Sequence, residues 1–342
     1  MEHVDFFMDI IEDFAKKESM KSAIMASIEH IQEDNYSMVE EEIRKALTVS
    51  RNMSLGQIYF DDVTNRWIRN VERRNEAKYR TVFKTLNKEL DGGLSAKELA
   101  MVVAPPGVGK SLYLVNQGVQ ALMEERKVLY ISLEMSEDKI AQRFDSVISQ
   151  IGQGYLEHKQ GDLLKRLSIF KKNFVDSNLV TKEYPTGLAK VSDIRALLSQ
   201  LRNFEAFEPD LIIVDYLGLV APIDRSLEGR FAYLARAREL RHIASSFGVA
   251  LWSAHQTNRP TYKAARITKE DSSEAIGVTE TADVIITLNQ TGPEETIGVQ
   301  RWIIDKARER NPRVCEWHVN AIKDEQRFSD TLTDEQNEFY YG

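Results

Sequence analysis

The stretch with the clearest chemistry is rich in glycine and reads Ala104-Pro105-Pro106-Gly107-Val108-Gly109-Lys110-Ser111. It follows an apolar run, Leu99 to Val103, and precedes a segment from Leu112 whose apolar residues have helical spacing. Strand, glycine loop, Lys-Ser and helix form the phosphate-binding loop of nucleotide triphosphatases. Glycines let backbone N–H groups curl around a phosphate, and the helix N-terminus adds its positive dipole end. We therefore predict that residues 104–112 bind a nucleoside triphosphate.

Two side chains of this loop have separate predicted roles. Lys110 is expected to neutralise the β- and γ-phosphates, and the Ser111 hydroxyl is expected to coordinate Mg²⁺. The pattern G-x-x-x-x-G-K-[ST] begins with glycine, whereas this chain has Ala104 at that position. The alternative is a Gly-Pro turn without a ligand. The placement of the stretch between a strand and a helix argues against that alternative.

Three polar side chains follow apolar runs that are predicted as strands, namely Glu134, Asp215 and Gln256. In parallel sheets, ligands bind at the carboxyl ends of the strands, so these residues should meet beside the loop. Asp215 is predicted to hold Mg²⁺ directly or through water, and Glu134 to activate water for ATP hydrolysis. Gln256 is predicted to sense the γ-phosphate. Each also has a structural alternative: Asp215 could cap a helix, Glu134 could lie at a solvated edge, and Gln256 could be a turn residue. For His255, both packing in the core and a role in the site remain open.

Bulk composition excludes several classes of protein. The 342 residues predict about two domains, and a net charge of −8 argues against coating nucleic acid through bulk positive charge. The single cysteine, Cys315, excludes an internal disulfide framework, and the alternation around it predicts a packed strand thiol. No apolar stretch approaches the ~20 residues of a membrane span, and the N-terminus is no signal peptide. We therefore predict a cytoplasmic protein without a membrane partner.

The first 80 residues are predicted to be helical and to need a partner. Residues 1–50 carry apolar stripes at helical spacing and form a small bundle, too small to be stable alone. A linker, residues 51–80, follows and contains a charged helix from about Asp61 to Tyr79. Its narrow apolar seam, which includes Trp67, suits docking into a groove on a neighbouring molecule. The alternatives are an extension packed on its own core domain and, for the charged helix, a solvated face.

From Thr81 onward, apolar strands alternate with amphipathic helices. The predicted strands are residues 99–103, 128–133, 211–215, 249–254, 284–288, 302–304 and 314–319. Fully apolar strands of this kind belong to a mainly parallel sheet covered by helices on both faces. We predict an α/β domain over residues 81–330 and a frayed polar tail over residues 331–342.

Together these stretches resemble the DnaB-type replicative helicases. Four segments follow one another as in that family, residues 104–111, 132–136, 211–216 and 253–259, and the family commonly has alanine at the first loop position. Two further stretches, residues 184–187 and 280–283, are most similar to the versions in T-even-type phages. The resemblance is specific over residues 81–330 and looser over residues 1–80. Because the family's N-terminal domain is longer, the chain is expected to be N-terminally short or a fragment.

The resemblance implies a fold, an activity and partners. The family has a RecA-like core and works as a homo-hexameric ring that moves 5′→3′ on single-stranded DNA, with ATP and Mg²⁺ bound between subunits. Within that site the resemblance assigns the catalytic base to Glu134, Mg²⁺ coordination to Asp215 and sensing to Gln256. A separate primase and a helicase loader are the other implied partners. For a phage protein, the expected location is the host cytoplasm.

An arginine finger for the neighbouring subunit's site is also implied. In the family this is a Lys-x-Arg pair on a late strand, and Lys306 and Arg308 match that spacing. A guanidinium from the next subunit neutralises charge that develops on the γ-phosphate. Arg310 and Arg313 are close enough to remain alternatives, and Pro312 stands where the family has glycine. The pair could also be a solvated strand end.

Two loops at the carboxyl ends of strands are predicted to face DNA in the ring axis, residues 222–229 and residues 259–277. Basic side chains at such spacing can track phosphates in a narrow channel even in an acidic protein. The predicted DNA contacts are Arg225, Arg230, Lys263, Arg266 and Lys269. For each of them a solvated loop is the alternative.

Two other functions are compatible with parts of this pattern. A RecA-like recombinase or recombination mediator shares the core but forms filaments. A non-motor ATP-binding assembly module would not depend on Glu134 or Arg308.

Overall fold

The protein is described here by a computed structural model that covers residues 17–28, 30–31, 35–49, 59–60, 63–75, 78–221, 227, 229–257, 280–313 and 315–341. The chain divides into two units, Met1–Asn75 and Glu76–Gly342. In the described part of the chain, no helix is long and apolar enough to cross a membrane.

The described part of the first unit is mainly helical. Residues 17–28 and 30–31 form α1, Tyr36–Val49 form α2 and Val63–Asn75 form α3. Small side chains such as Ala23 are buried, whereas the isoleucines of α1 and the α3 seam around Trp67 are about half exposed. The predicted helices are confirmed within the described residues, except that the charged helix ends at Asn75 and not near Tyr79, which forms an isolated bridge with Leu94. Residues 4–16 lie outside the described residues.

A nine-stranded sheet forms the centre of the second unit in its described part, with the order β3-β2-β4-β5-β1-β6-β7-β8-β9. The strands are β1 Leu99–Ala104, β2 Lys127–Ser132, β3 Asn178–Glu183, β4 Leu211–Asp215, β5 Ala250–Gln256, β6 Val284–Asn289, β7 Val299–Ala307, β8 Glu316–Ile322 and β9 Arg327–Ser329. Neighbours run parallel from β3 to β6 and antiparallel from β6 to β9. The predicted mainly parallel α/β sheet is confirmed.

Helices cover both faces of this sheet. They are α4 Lys84–Glu89, α5 Lys110–Leu122, α6 Glu137–Ser149, α7 Gln160–Asn173, α8 Val191–Glu205, α9 Gly229–Phe247, α10 Gly292–Thr296 and α11 Asp334–Tyr341. Alternate strand residues face opposite sides, so Ile213 packs with α5 and α6 while Ile212 packs with α8 and α9. The central strands are therefore apolar on both faces.

Close packing fixes the helix that follows the glycine loop. Gly118 in α5 lies against α6, and a Cβ at this position would meet Phe144 Cζ at 2.8 Å. Glycine therefore lets α5 approach α6 more closely than any other residue would.

The prediction of a frayed tail is wrong, because residues 334–341 form the helix α11, and its side chains Gln336 and Tyr340 contact the rest of the domain. Gln336 is buried, and its Nε2 donates to the carbonyl of Ile297 at 2.7 Å. Tyr340 donates a hydrogen bond from its hydroxyl to Glu294, and its ring contacts that of His318 at a tilt of 36°, with centroids 4.0 Å apart. The polar sequence therefore buries specific side chains.

Other parts of the domain also differ from the prediction, among them the short strand β9, which was not predicted. Cys315 is exposed and immediately precedes β8, so the prediction of a packed strand thiol is wrong. Strand β3 was not predicted at all. It pairs with β2 alone at the sheet edge, and its half-exposed, partly polar residues lack the apolar run of a central strand.

Candidate nucleotide site

The glycine loop lies between the end of β1 and the start of α5. Gly107 and Gly109 have φ values of 80° and 122°, in the left-handed region that favours glycine. A Cβ at Gly107 would meet nothing within 4 Å, so the loop is open on that side. Gly109 is the N-cap of α5, and the unpaired N–H groups of a helix start therefore point into this opening.

Lys110 is folded onto the loop. Its Nζ donates to the carbonyl of Pro105 at 3.0 Å and lies 3.4 Å from that of Ala104. The residue is 8% exposed, and this burial lowers the pKa of Lys110 to about 8 although Asp215 and Glu134 act to raise it. A buried ammonium with two neutral acceptors is ready to pair with an anion.

Asp215 ends β4 and is buried beside the loop. Its Oδ2 accepts a hydrogen bond from the Tyr130 hydroxyl at 2.8 Å. Burial raises the pKa of Asp215, while hydrogen bonding from Tyr130 and Ser111 lowers it. Its Oδ1 is buried and has no hydrogen-bond partner within the described residues. A buried acceptor without a donor, next to the Ser111 hydroxyl, fits a bound cation such as Mg²⁺.

A cavity of about 410 Å³ brings together Glu134, Gln256 and most of the loop, whereas the predicted loop residues Ala104 and Pro105 do not line it. Glu134 is exposed at its wall, and Gln256 lies at the end of β5, level with Ala104. The structure therefore brings Gln256 and Glu134 together with the loop, as their strand-end positions predicted. The loop residues that line the cavity run from Pro106 to Leu112.

His255 belongs to the core. It is fully buried, and neither ring nitrogen has a hydrogen-bond partner among the residues that the structure describes. Its ring meets that of Tyr233 edge to face, with centroids 4.9 Å apart. Burial and the Lys110 charge lower the pKa of His255 to about 4, so the imidazole is neutral near pH 7.

Several cavity residues were not predicted from the sequence. They are Arg143 of α6, Tyr216 after β4, Gln300 of β7 and the turn residues Lys323 and Gln326 between β8 and β9. The buried Gln300 donates from Nε2 to the Val108 carbonyl at 2.7 Å. Asn116 of α5 donates to the Gln326 carbonyl at 2.7 Å, which ties the turn to the loop helix. No local signal marks Gln300, because the same strand also holds the polar residues Arg301, Asp305 and Lys306.

Arg308 and Lys306 lie at the amino-terminal ends of the parallel strands, whereas the loop lies at their carboxyl ends. Ala307 pairs with Val284, and Val284 pairs with Ala100 at the start of β1. The loop begins after Ala104 at the other end of β1, roughly 13 Å along the strand at 3.3 Å per residue. The structure therefore does not bring Arg308 together with Lys110 of the same chain.

The other arginines of this region differ from Arg308. Arg310 is almost buried and pairs with Glu98 at 3.0 Å, and its Nη2 also approaches Ser95 Oγ at 3.3 Å. Arg313 donates through its backbone N–H to the Glu89 carboxylate. Arg308 has a side chain that is 39% exposed and is thus more available to another molecule than Arg310.

One predicted DNA contact falls within the described residues. Arg230 is exposed near the start of α9, with its guanidinium carbon 4.7 Å from the centre of the Phe231 ring. Arg225, Lys263, Arg266 and Lys269 lie outside the described residues. The DNA assignment therefore stays a prediction.

A parallel sheet, a glycine loop leading into a helix, and carboxylates at the adjacent strand ends define a RecA-like nucleotide-binding protein. Residues 78–330 match the family described as the DnaB-like helicase C terminal domain. This chain belongs to that family.

Individual relatives agree with this family. The chain is 28% identical to the DnaB-like replicative helicase of Enterobacteria phage T4 over 81% of this chain and 58% of that protein. It is 24% identical to the replicative DNA helicase DnaB of Geobacillus stearothermophilus, over 95% of this chain and 74% of the relative. This chain thus spans little more than half of the phage protein's length.

Solved structures confirm the RecA-like fold. A DnaB-like replicative helicase, solved in a study of its interactions with primase, superposes with a TM-score of 0.74 at 17% identity, over 94% of this chain and 77% of the other. A second solved structure, of an isolated ATPase domain, gives a TM-score of 0.67 at 18% identity, over 81% of this chain and 100% of that domain.

Proposed function

We propose that this chain is the ATP-hydrolysing motor of a replicative DNA helicase, a ring of six copies that moves 5′→3′ on single-stranded DNA. The observation that carries the proposal is the separation of the catalytic groups. Lys110, Glu134 and Asp215 lie at the carboxyl ends of the parallel strands, and Arg308 lies at their amino-terminal ends. An arginine that cannot reach its own loop can complete the loop site of the next copy, and such head-to-tail contacts close into rings. The number six and the polarity rest on the family resemblance.

Each side chain has a defined role in the proposed hydrolysis. Lys110 neutralises the β- and γ-phosphates, and Ser111 and Asp215 hold Mg²⁺, which when bound offsets phosphate charge. Glu134 accepts a proton from water as the water oxygen bonds to the γ-phosphorus and the bond to the ADP oxygen breaks. Gln256 contacts the γ-phosphate from the next strand end. Arg308 of the neighbouring copy stabilises the charge on the transferring phosphoryl group.

The proposal includes further partners. Arg230 and the loops that contain Arg225, Lys263, Arg266 and Lys269 contact the DNA backbone through their charge. A separate primase and a helicase loader bind the ring, and a primase partner is supported by the fold shared with a helicase studied with primase. The site of action is cytoplasmic, in the host cytoplasm if the chain is phage-encoded.

The direct test is ATP turnover with and without single-stranded DNA, run beside light scattering on the eluting protein. We expect a ring of six chains whose turnover rises with DNA. Turnover by a monomer that is indifferent to DNA would contradict the ring motor. Filaments on DNA would favour a recombinase or mediator, and nucleotide binding without turnover would favour a non-motor assembly module.

Nucleotide affinity should fall as the pH rises through 8. The pKa of Lys110 is lowered to about 8, so its charge is present below that pH and is lost above it. Because the phosphates bind the charged form, the dissociation constant should rise by up to about tenfold per pH unit above pH 8. Titration with a fluorescent ATP analogue between pH 7 and 9.5 measures this slope.

The matched control for this pH series is Lys110→Ala. That variant should bind weakly and with nearly constant affinity over the same pH range, because the titrating ammonium is gone. An equally steep slope in Lys110→Ala would assign the pH dependence to another group.

A further inference from the structure

The Asp283 carboxylate joins two arginines that come from different elements. Asp283 immediately precedes β6, Arg241 lies in α9 and Arg308 immediately follows β7. Arg241 donates from Nε to Oδ2 at 3.0 Å and from Nη2 to Oδ1 at 2.9 Å. Nη1 of Arg308 lies 3.1 Å from the same Oδ1. Asp283 is therefore a shared acceptor for both guanidinium groups.

Asp283 is also fixed to the start of β1. The N–H of Leu99 donates to Asp283 Oδ2 at 3.1 Å, and the N–H of Asp283 donates to the Leu99 carbonyl at 2.8 Å. The N–H of Arg308 donates to the Asp283 carbonyl at 2.8 Å. The Asp283 side chain is 3% exposed. Its carboxylate therefore has little freedom to move relative to the sheet.

The two arginines are held differently. Arg241 binds the carboxylate with two nitrogens, which is the stronger and better oriented arrangement. Arg308 contacts it with one nitrogen, and its Nη2 lies 3.4 Å from the Glu280 carbonyl. A single contact orients the guanidinium but leaves donors for a second acceptor.

An open cavity of about 440 Å³ adjoins this cluster. Its lining is rich in arginine, imidazole and hydroxyl side chains, namely Arg238, Arg241, His242, Ser245, Thr281 and Arg308, with Glu280 beside them. A phosphate group that enters such a cavity meets several donors of hydrogen bonds and an excess of positive charge. The exposed part of Arg308 is thus presented where a phosphate of another molecule can reach it.

We propose that Asp283 is a positioning residue for Arg308, and that Arg241 keeps the Asp283 carboxylate paired when Arg308 engages a phosphate. This inference rests on the proposed function, in which Arg308 acts on the nucleotide of the neighbouring subunit. Asp283 sets the direction of the guanidinium before the phosphate arrives. An unpaired buried carboxylate would be strongly unfavourable. If Arg308 moves away, the bidentate pair with Arg241 remains, so the Asp283 carboxylate stays paired.

The test is a double-mutant cycle on DNA-stimulated ATP turnover, with Asp283→Asn, Arg308→Ala and both together. We expect Asp283→Asn to lower kcat about tenfold and Arg308→Ala about 10³-fold. The double variant should match Arg308→Ala alone, because Asp283 acts through Arg308. KM for ATP should change less than about twofold, since the loop of the same chain lies at the other sheet edge.

Glu98→Gln is the matched control. Glu98 is a carboxylate at the same sheet edge that pairs with Arg310 and not with Arg308. It should leave kcat within about twofold of the unmodified protein. If Glu98→Gln lowers kcat and Asp283→Asn does not, Arg310 is the positioned arginine and the inference is overturned.

The other outcomes separate this inference from the proposed function. If Arg308→Ala retains full turnover, the finger assignment itself fails. If Arg308→Ala is inactive but Asp283→Asn is unaffected, only the positioning role fails. If Asp283→Asn lowers kcat by the same factor in the unmodified protein and in the Arg308→Ala variant, or if it raises KM for ATP, then Asp283 merely stabilises β1. Should Asp283→Asn not fold, Arg241→Lys takes its place, with a smaller drop in kcat that must also vanish in the Arg308→Ala background.

Discussion

Replacing Glu134 by glutamine is expected to lower the rate of ATP hydrolysis about 10³-fold while nucleotide and DNA binding are retained. Glu134 stands at the wall of the nucleotide cavity, where its carboxylate can reach a water beside the γ-phosphate. Glutamine keeps the size and polarity of the side chain but cannot accept the proton. Steady-state turnover and binding of a fluorescent ATP analogue, measured on the same preparation, separate the two effects.

Glu137→Gln is the matched control for this substitution. Glu137 lies three residues further on in the first turn of α6, and its carboxylate accepts a hydrogen bond from the N–H of Glu183 at 2.9 Å. Its replacement should leave turnover within about twofold, because Glu137 is not among the residues that line the nucleotide cavity. Normal turnover by Glu134→Gln would mean that another group activates the water.

The glycine loop was predictable because its chemistry is local. Residues 104–112 are consecutive, and the apolar run before them and the helical spacing after them fix a strand, a turn and a helix. Backbone N–H groups of adjacent residues do the binding, so no long-range contact is needed to recognise the site. The structure has β1 and α5 as the pattern predicted.

The residues at the strand ends were predictable for a different reason. Each lies at the end of a mainly apolar strand, and parallel strands bring their carboxyl ends to the same side of the sheet. In the structure Ala104 is level with Gln256, and Ser132 is level with Asp215. The strand order itself could not be deduced from residue patterns, but the shared edge did not depend on it.

The remaining residues of the cavity depend on long-range pairing that a single sequence does not reveal. Gln300 and Gln326 reach the loop because β7, β8 and β9 extend the sheet in antiparallel fashion. The pair between Asp283 and Arg308 likewise needs β6 and β7 to be neighbours. The tail was mispredicted for the same reason, since Gln336 and Tyr340 contact Ile297 and Glu294, which are distant in sequence.

Replacing Arg308 by alanine is expected to lower DNA-stimulated turnover about 10³-fold without weakening nucleotide binding to the same chain. Arg308 is too far from its own loop, across the length of β1, to contact the nucleotide held there. Its loss should therefore be felt in the neighbouring subunit's site. Turnover and nucleotide affinity of the variant test the two halves of this expectation.

Mixed rings show on which subunit Arg308 acts. Co-expressed Arg308→Ala and Lys110→Ala chains are each inactive, but a ring that holds both contains some interfaces with an intact loop facing an intact arginine. Random mixing of equal amounts makes about a quarter of the interfaces complete, and turnover should recover toward that fraction. Native mass spectrometry verifies that the rings are mixed. No recovery in verified mixed rings would mean that Arg308 acts on the nucleotide of its own chain. Because Arg308 and the loop are separated by the length of β1, that result would require a different conformation of the chain.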